Sequence, residues 1–302
     1  MFQAHLGEFI ALLTAVFWTT TSLFFESAGK RVGSLSVNFI RLIIGFLLIS
    51  IYTLITRGLF LPIDATGSAW FWLLISGAIG MVVGDLFLFQ AYVEIGSRIS
   101  MLVMASVPPI TAIISFIVLG EKLTKPNIIG MSITVLGIAV VVLKRNEDES
   151  EGKGKIKLSH PKRGLLFAFL GAVGQSVGMI LSKFGMKDYD PFAATQIRII
   201  AGLFGFAVLF FIMKKWGNLA KAFKDKNAIG KISIGALFGP FLGVSFQLMS
   251  LKYTTAGVSS TITSIVPVLI IPPAIILFKE KITPKEILGS IITILGVAVL
   301  FL

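Results

Sequence analysis

Cysteine is absent from this 302-residue sequence, and histidine occurs twice, as His5 and His160. No disulfide and no thiolate chemistry is open to such a chain. Both histidines lie outside the long apolar stretches, which excludes a histidine metal cluster within them. Charge is scarce as well: Asp, Glu, Lys and Arg make up 14% of the chain, against about 25% in an ordinary soluble domain. No GxxxxGK[ST] phosphate loop is present, so direct ATP hydrolysis is not expected, and no cofactor is implied.

What fills the sequence is apolar side chains, at 55%, with 26 phenylalanines among them. Mean hydropathy is +0.92. A water-soluble surface cannot be covered with so little polarity, and disorder is excluded by the same composition. Ten spanning helices of roughly 20 residues would use about two thirds of the chain. The class is a polytopic membrane protein with short connections, in contact with membrane lipids.

Ten apolar runs are legible, at 7–25, 35–55, 70–91, 97–119, 127–143, 164–182, 192–213, 232–251, 257–278 and 285–302. Each suits one spanning helix. No Lys or Arg precedes the first run, so it is expected to be a retained helix rather than a cleaved leader, and no C-terminal domain is expected after the last. The net charge of +12 would suggest nucleic acid in a soluble protein. Here the basic residues sit between the runs, where lipid headgroups and helix orientation account for them, and nucleic acid is not an expected partner. Residues 144–163 form the one long polar segment, with Glu147, Asp148, Glu149, Glu151, Lys153, Lys155 and Lys157, and read as a solvated linker.

The halves on either side of that linker are alike. At an offset of 157, Gly7 meets Gly164, Ala11 meets Ala168, Ala15 meets Ala172, Arg41 meets Arg198 and Gly45 meets Gly202. At an offset of 159, Gly80 meets Gly239, Gly84 meets Gly243, Pro108 meets Pro267, and Gly130, Gly137 and Ala139 meet Gly289, Gly296 and Ala298. Five helices per half is an odd number, so the second half enters the membrane from the opposite side. The expectation is an all-α membrane protein of ten transmembrane helices arranged as two inverted five-helix repeats, 1–143 and 164–302. That architecture suits a carrier, because two near-identical bundles can exchange conformations and so turn a cavity from one face to the other.

Gly120-Glu121-Lys122-Leu123-Thr124, with Gly130 and Leu136-Gly137 after it, is echoed by Lys279-Glu280-Lys281-Ile282-Thr283 with Gly289 and Leu295-Gly296. Asn38-Phe39-Ile40-Arg41 pairs with Gln196-Ile197-Arg198, and Ser106-Val107-Pro108-Pro109 with Ile265-Val266-Pro267. With these paired motifs the whole chain resembles the drug/metabolite transporter superfamily, specifically the ten-helix proteins with two EamA domains; Lys279 in place of a glycine is a minor departure. The resemblance implies transport of metabolites or amino acids, usually as efflux, by a multi-pass protein of the inner cell membrane.

Polar side chains inside the apolar runs are the best pointers to a pathway. Asp85, in the third run, reads as a substrate-amine contact or a proton site, or else as a buried partner for a lysine or a helix-packing hydrogen bond. Gln175, Gln247 and Trp18 stand near mid-membrane and could ring one cavity with Asp85; the amides could bind a polar solute or serve as interhelical glue, and the indole could hold a cation or only pack. Thr19, Met179, Ser22, Gln90, Tyr92 and Ser176 are weaker candidates. Arg41 and Arg198 are expected to snorkel to the nearest interface as gates or helix-end anchors. Glu121 and Glu280 read as caps or loop ion pairs. Pro108 and Pro267 interrupt the helix ladder and can serve as kinks or hinges.

The charge count by loop places about threefold more Lys and Arg on the side opposite the termini, which makes that side cytoplasmic by the positive-inside rule; the resemblance implies the reverse. The function expected is alternating-access transport of a small polar or amphipathic metabolite, driven by its own gradient or by protons. The competing readings are a channel and a nucleotide-sugar or phosphorylated-metabolite carrier, the latter disfavoured by a scarcity of deep cations. An intramembrane enzyme is the poorest, lacking His and Cys in the runs.

Overall fold

The computed structural model describes residues 6–119, 124–145, 156–158, 160–253, 259, 262–279 and 281–300. Its helices are α1 (Leu6–Val32), α2 (Ser34–Arg57), α3 (Gly67–Gly77), α4 (Asp85–Met104), α5 (Val107–Leu119) and α6 (Lys125–Val142) in the first half. The second half has α7 (Lys162–Met186), α8 (Pro191–Met213), α9 (Trp216–Lys224), α10 (Lys226–Ala236), α11 (Val244–Tyr253), α12 (Val266–Leu269), α13 (Ile271–Phe278) and α14 (Pro284–Leu300). Seven helical stretches are long and apolar enough to cross a membrane, and Val107–Leu119, Val266–Phe278 and Pro284–Leu300 are shorter apolar ones. The longest stretch, Gly67–Met104, is broken at Gly96, whose φ of 79° no helix allows. The chain turns back there, so that Tyr92 Oη donates to Met101 Sδ at 3.3 Å although nine residues separate them. This break divides the third span from the fourth.

The linker between the halves is closed by a short antiparallel ladder, Leu143–Arg145 against Ile156–Leu158. The motif residues Gly120 to Leu123 and Glu280 lie outside the described residues, as does His5. Thr124 caps α6 in a capping box with Asn127.

Two segments depart from α-helical geometry, and they are repeat mates. Ala78–Gly84 and Leu237–Gly243 are both π-helical. In each the residue that follows donates its N–H five positions back, Asp85 to Gly80 and Val244 to Gly239. Pro240 removes an amide donor in the second segment, but the first contains no proline, so glycine-rich packing accounts for both better than proline does.

The halves interlock antiparallel, as an inverted repeat requires. Gly45 of α2 lies against Ile199 of α8, and its mate Gly202 lies against Leu42, the mate of Ile199. The π segment after α3 packs on α7 through Gly80 against Gly178 and Gly84 against Gly174. The mate of that contact sets Trp18 of α1 beside Gly243. Helices α6 and α14 meet through Gly137 against Thr293 and Gly296 against Thr134. Small residues allow this backbone approach where lipid supplies no hydrophobic drive between helices. Outside, large apolar side chains such as Ile55, Phe204, Phe211 and Ile276 are more than 70% exposed, a surface suited to lipid rather than water.

Candidate functional site

A cavity of about 130 Å³ lies between the halves. It is lined from spans one to four and six to nine, while α6 and α14 contribute no lining residue. Its walls come in repeat pairs. Trp18 and Gln175, Arg41 and Arg198, Asp85 and Val244, Leu88 and Gln247, and Pro108 and Pro267 all face it. The cavity therefore straddles the pseudo-twofold axis.

The centre of its polar wall is Asp85, which is buried. Arg41 Nη2 donates to Asp85 Oδ2, forming an ion pair. Gln175 Nε2 donates to Asp85 Oδ1 at 2.6 Å and also reaches the carbonyl of Gly80 at 3.2 Å. Asn38 holds the arrangement from below: its amide donates to the Asp85 carbonyl at 3.2 Å and its oxygen accepts from Arg41 Nε at 3.0 Å. The Arg41 guanidinium stands 4.5 Å from the centroid of Phe89, a cation–π contact. Both carboxylate oxygens are thus engaged, and the pair is satisfied in the way a buried pair must be to persist.

Two expectations need correction. Arg41 and Arg198 do not snorkel to the interface; they are 3% and 5% exposed and line the cavity. Each lies six residues into its apolar run, about 9 Å of helix from the membrane face. For Arg41 a carboxylate stands nearer than the water does. For Arg198 the cavity replaces the interface: its Nε has no hydrogen-bond partner, and Asp85 is within electrostatic reach. Two deep cations therefore line the cavity, contrary to the scarcity expected from the sequence.

The second correction concerns Thr19. Its hydroxyl donates to the Ala15 carbonyl of its own helix at 2.9 Å, and it is not part of the lining. A threonine in a helix returns its proton to the preceding turn unless a better acceptor is near. Trp18, Asp85, Gln175, Gln247 and Met179 do line the cavity, and Pro108 and Pro267 line it where their spans break after residues 105–106 and 264–265.

Met81, Leu88, Met101 and Met104 supply much of the apolar part of the wall and carry no polar atom that would mark them in the sequence. Counting depth would have found the Arg41–Asp85 pair. Arg41 is six residues from the start of its run and Asp85 six from the end of the next, and those two ends lie on one membrane face.

Ion pairs join the halves beyond the cavity on the basic face. Arg31 pairs with Asp225, Arg98 with Glu286 at 3.0 Å and Glu94 with Arg163 at 3.4 Å, and Lys231 donates to Ser27 at 2.7 Å. On the opposite face Tyr189 donates to Asp64 at 2.8 Å, and Arg57 pairs with the same carboxylate. Among the described residues no group of three or more His, Asp or Glu side chains could hold a metal ion.

A solved crystal structure shares this fold, with a TM-score of 0.63 at 17% identity over 97% of this chain and 95% of that one. A protein of Archaeoglobus fulgidus, named an uncharacterized transporter, is 24% identical over 225 residues, 73% of this chain and 74% of its own. The Bacillus subtilis uncharacterized transporter YyaM is 25% identical over 198 residues, 65% of this chain and 61% of its own. The profile of the EamA-like transporter family matches residues 5–143 and 162–302, the two halves whose mates share the cavity. A duplicated, all-helical membrane fold with a lined hollow on its symmetry axis and a family match across both repeats leave one conclusion: the chain belongs to the EamA-like transporter family of the drug/metabolite transporter superfamily, carriers rather than enzymes.

Proposed function

We propose that the protein exports small metabolites, such as amino acids or related amphipathic solutes, across the inner cell membrane by alternating access. The observation that carries this reading is the pairing of repeat mates around one cavity. Repeats 1–143 and 164–302 are the moving bodies, and the 144–163 linker joins them. If each bundle takes up the other's conformation, the same lining faces the opposite side. In this reading the cross-repeat ion pairs on the basic face act as a latch between the halves on that side. Pro108 and Pro267, at the breaks in spans four and nine, are the hinges in this reading.

Substrate contacts fall to Trp18, Gln175, Gln247 and Met179, which combine an aromatic face, amides and a thioether in one wall. Asp85 is the acidic side chain among the described lining residues, so a proton exchanged during the cycle passes through it. A phosphorylated metabolite is the second reading, favoured by the two buried arginines, although Asp85 already neutralises one of them.

Counterflow in proteoliposomes tests the proposal. Preloading with unlabelled amino acids is expected to accelerate entry of labelled ones, and single-channel conductance without such acceleration would replace the carrier with a channel. Comparing wild type with Asp85→Asn, with and without a pH gradient, tests proton exchange; equal responses to the gradient would remove it.

A further inference from the structure

The two arginines of the cavity are repeat mates with unlike surroundings. Arg41 is neutralised by Asp85, both of whose oxygens are taken. The mate of Asp85 is Val244, so the second half supplies no acid at that place. Arg198 consequently stands in the lining, 5% exposed, with its Nε unpaired and no acceptor hydrogen-bonded to its guanidinium among the described residues. The polar wall carries one uncompensated positive charge. An ammonium group entering the cavity finds the Asp85 carboxylate already occupied.

A buried, unpaired guanidinium is costly, and its planar fork matches a carboxylate in bidentate fashion. Met81, Met179 and Trp18 offer an apolar, polarizable surface in the same lining for the rest of a ligand. Resting on the carrier reading above, we propose that Arg198 anchors the substrate by its carboxylate. The substrate class is a small amphipathic monocarboxylate, amino acids included, and an amino group contributes little to recognition. One uncompensated charge favours a monoanion over a phosphate dianion.

The test uses the purified full chain and matched probes: 3-phenylpropionate against 2-phenylethylamine, hexanoate against pentylamine, and phenyl phosphate as a dianion. Thermal unfolding midpoints and apparent Kd are read for each. The acids are expected to stabilise the protein and the amines not to, with phenyl phosphate weaker than 3-phenylpropionate. Arg198→Gln and Val244→Asp are each expected to weaken acid binding at least about tenfold, since one removes the fork and the other gives it an internal partner. Arg198→Lys retains part of the affinity. Unfolding midpoints without ligand establish that the variants are folded.

Amines or the phosphate binding as tightly as the acids would overturn the anchor, as would folded Arg198→Gln and Val244→Asp proteins that keep wild-type acid affinity. Either result leaves the carrier reading standing if counterflow is seen. Wild-type protein that binds no probe overturns the anchor as well, and absence of trans-stimulated flux would then remove the carrier reading with it.

Discussion

Gly174 and Gly84 touch so closely that a Cβ built on Gly174 would lie 2.6 Å from the Gly84 Cα. Real Cβ atoms do not approach backbone so closely, and backbone cannot rotate away as a side chain can. This contact fixes the π segment against α7 and, one residue on, sets the position of Asp85.

Gly174→Ala is therefore expected to lower stability by about 1–3 kcal/mol, the usual cost of overpacking. Thermal unfolding in detergent measures it. Gly217→Ala in α9 is the control: nothing lies within 4 Å of its added methyl, and stability should hold or rise slightly.

Arg41→Gln strands the Asp85 carboxylate in a buried site. The expected loss is ~3–5 kcal/mol, as for other buried pairs broken on one side. Removing both charges, as Arg41→Gln with Asp85→Asn, should recover much of it. A double-mutant cycle on unfolding free energies reads the coupling, and additive losses would contradict the pairing.

The Asp64–Tyr189 pair outside the spans makes stability depend on pH in two windows. Burial lifts the Tyr189 phenol first, and its hydrogen bond to Asp64 adds to this, raising it to about 12. Its proton is held more tightly folded than unfolded, so this contribution is complete below the ordinary tyrosine value near 10 and lost as pH climbs through about 12. Burial would lift the Asp64 carboxyl too, but the hydrogen bond from Tyr189 and the Arg57 charge outweigh it and hold Asp64 low. That contribution is present above the ordinary aspartate range and lost as acid carries pH through the depressed value. Tyr189→Phe should flatten the alkaline limb of an unfolding-midpoint profile and shrink the acid one.

Having no cysteine, the chain is ready for single-thiol labelling without further engineering. Asn218, exposed in α9, lies on the basic face, and Asp188, exposed between α7 and α8, lies on the other. With the basic face cytoplasmic, an impermeant maleimide should label Asp188→Cys in intact cells and Asn218→Cys only after lysis. The reverse pattern would invert the orientation.

Much of this fold is legible in the sequence because lipid imposes a simple rule: a span must be apolar, helical and about 20 residues long. The duplicated glycines, Gly45 with Gly202 and Gly137 with Gly296, carry the antiparallel interlock as well. The π segments are not legible as such: their glycines, and Pro240 in the second, mark close packing or a kink, and the wide turn follows only from the contact with the neighbouring helix. Arg41 was misplaced for a related reason. Reading each span alone, the interface is the nearest relief for a cation; only the packing of α2 on α4 brings Asp85 closer than water.

An α-helix turns roughly 100° per residue, so the wide turn before Asp85 works as a phase shifter. Everything downstream of Gly84 is rotated relative to α3, and the counterpart turn rotates Val244 and Gln247 in the same sense relative to α10. Tightening one such turn to regular helix would swing Asp85 away from Arg41 and Gln175 and also push the downstream helix along its axis by roughly one residue's rise, about 1.5 Å. The aim of the lining is thus set by local winding, independently of how the bundles tilt.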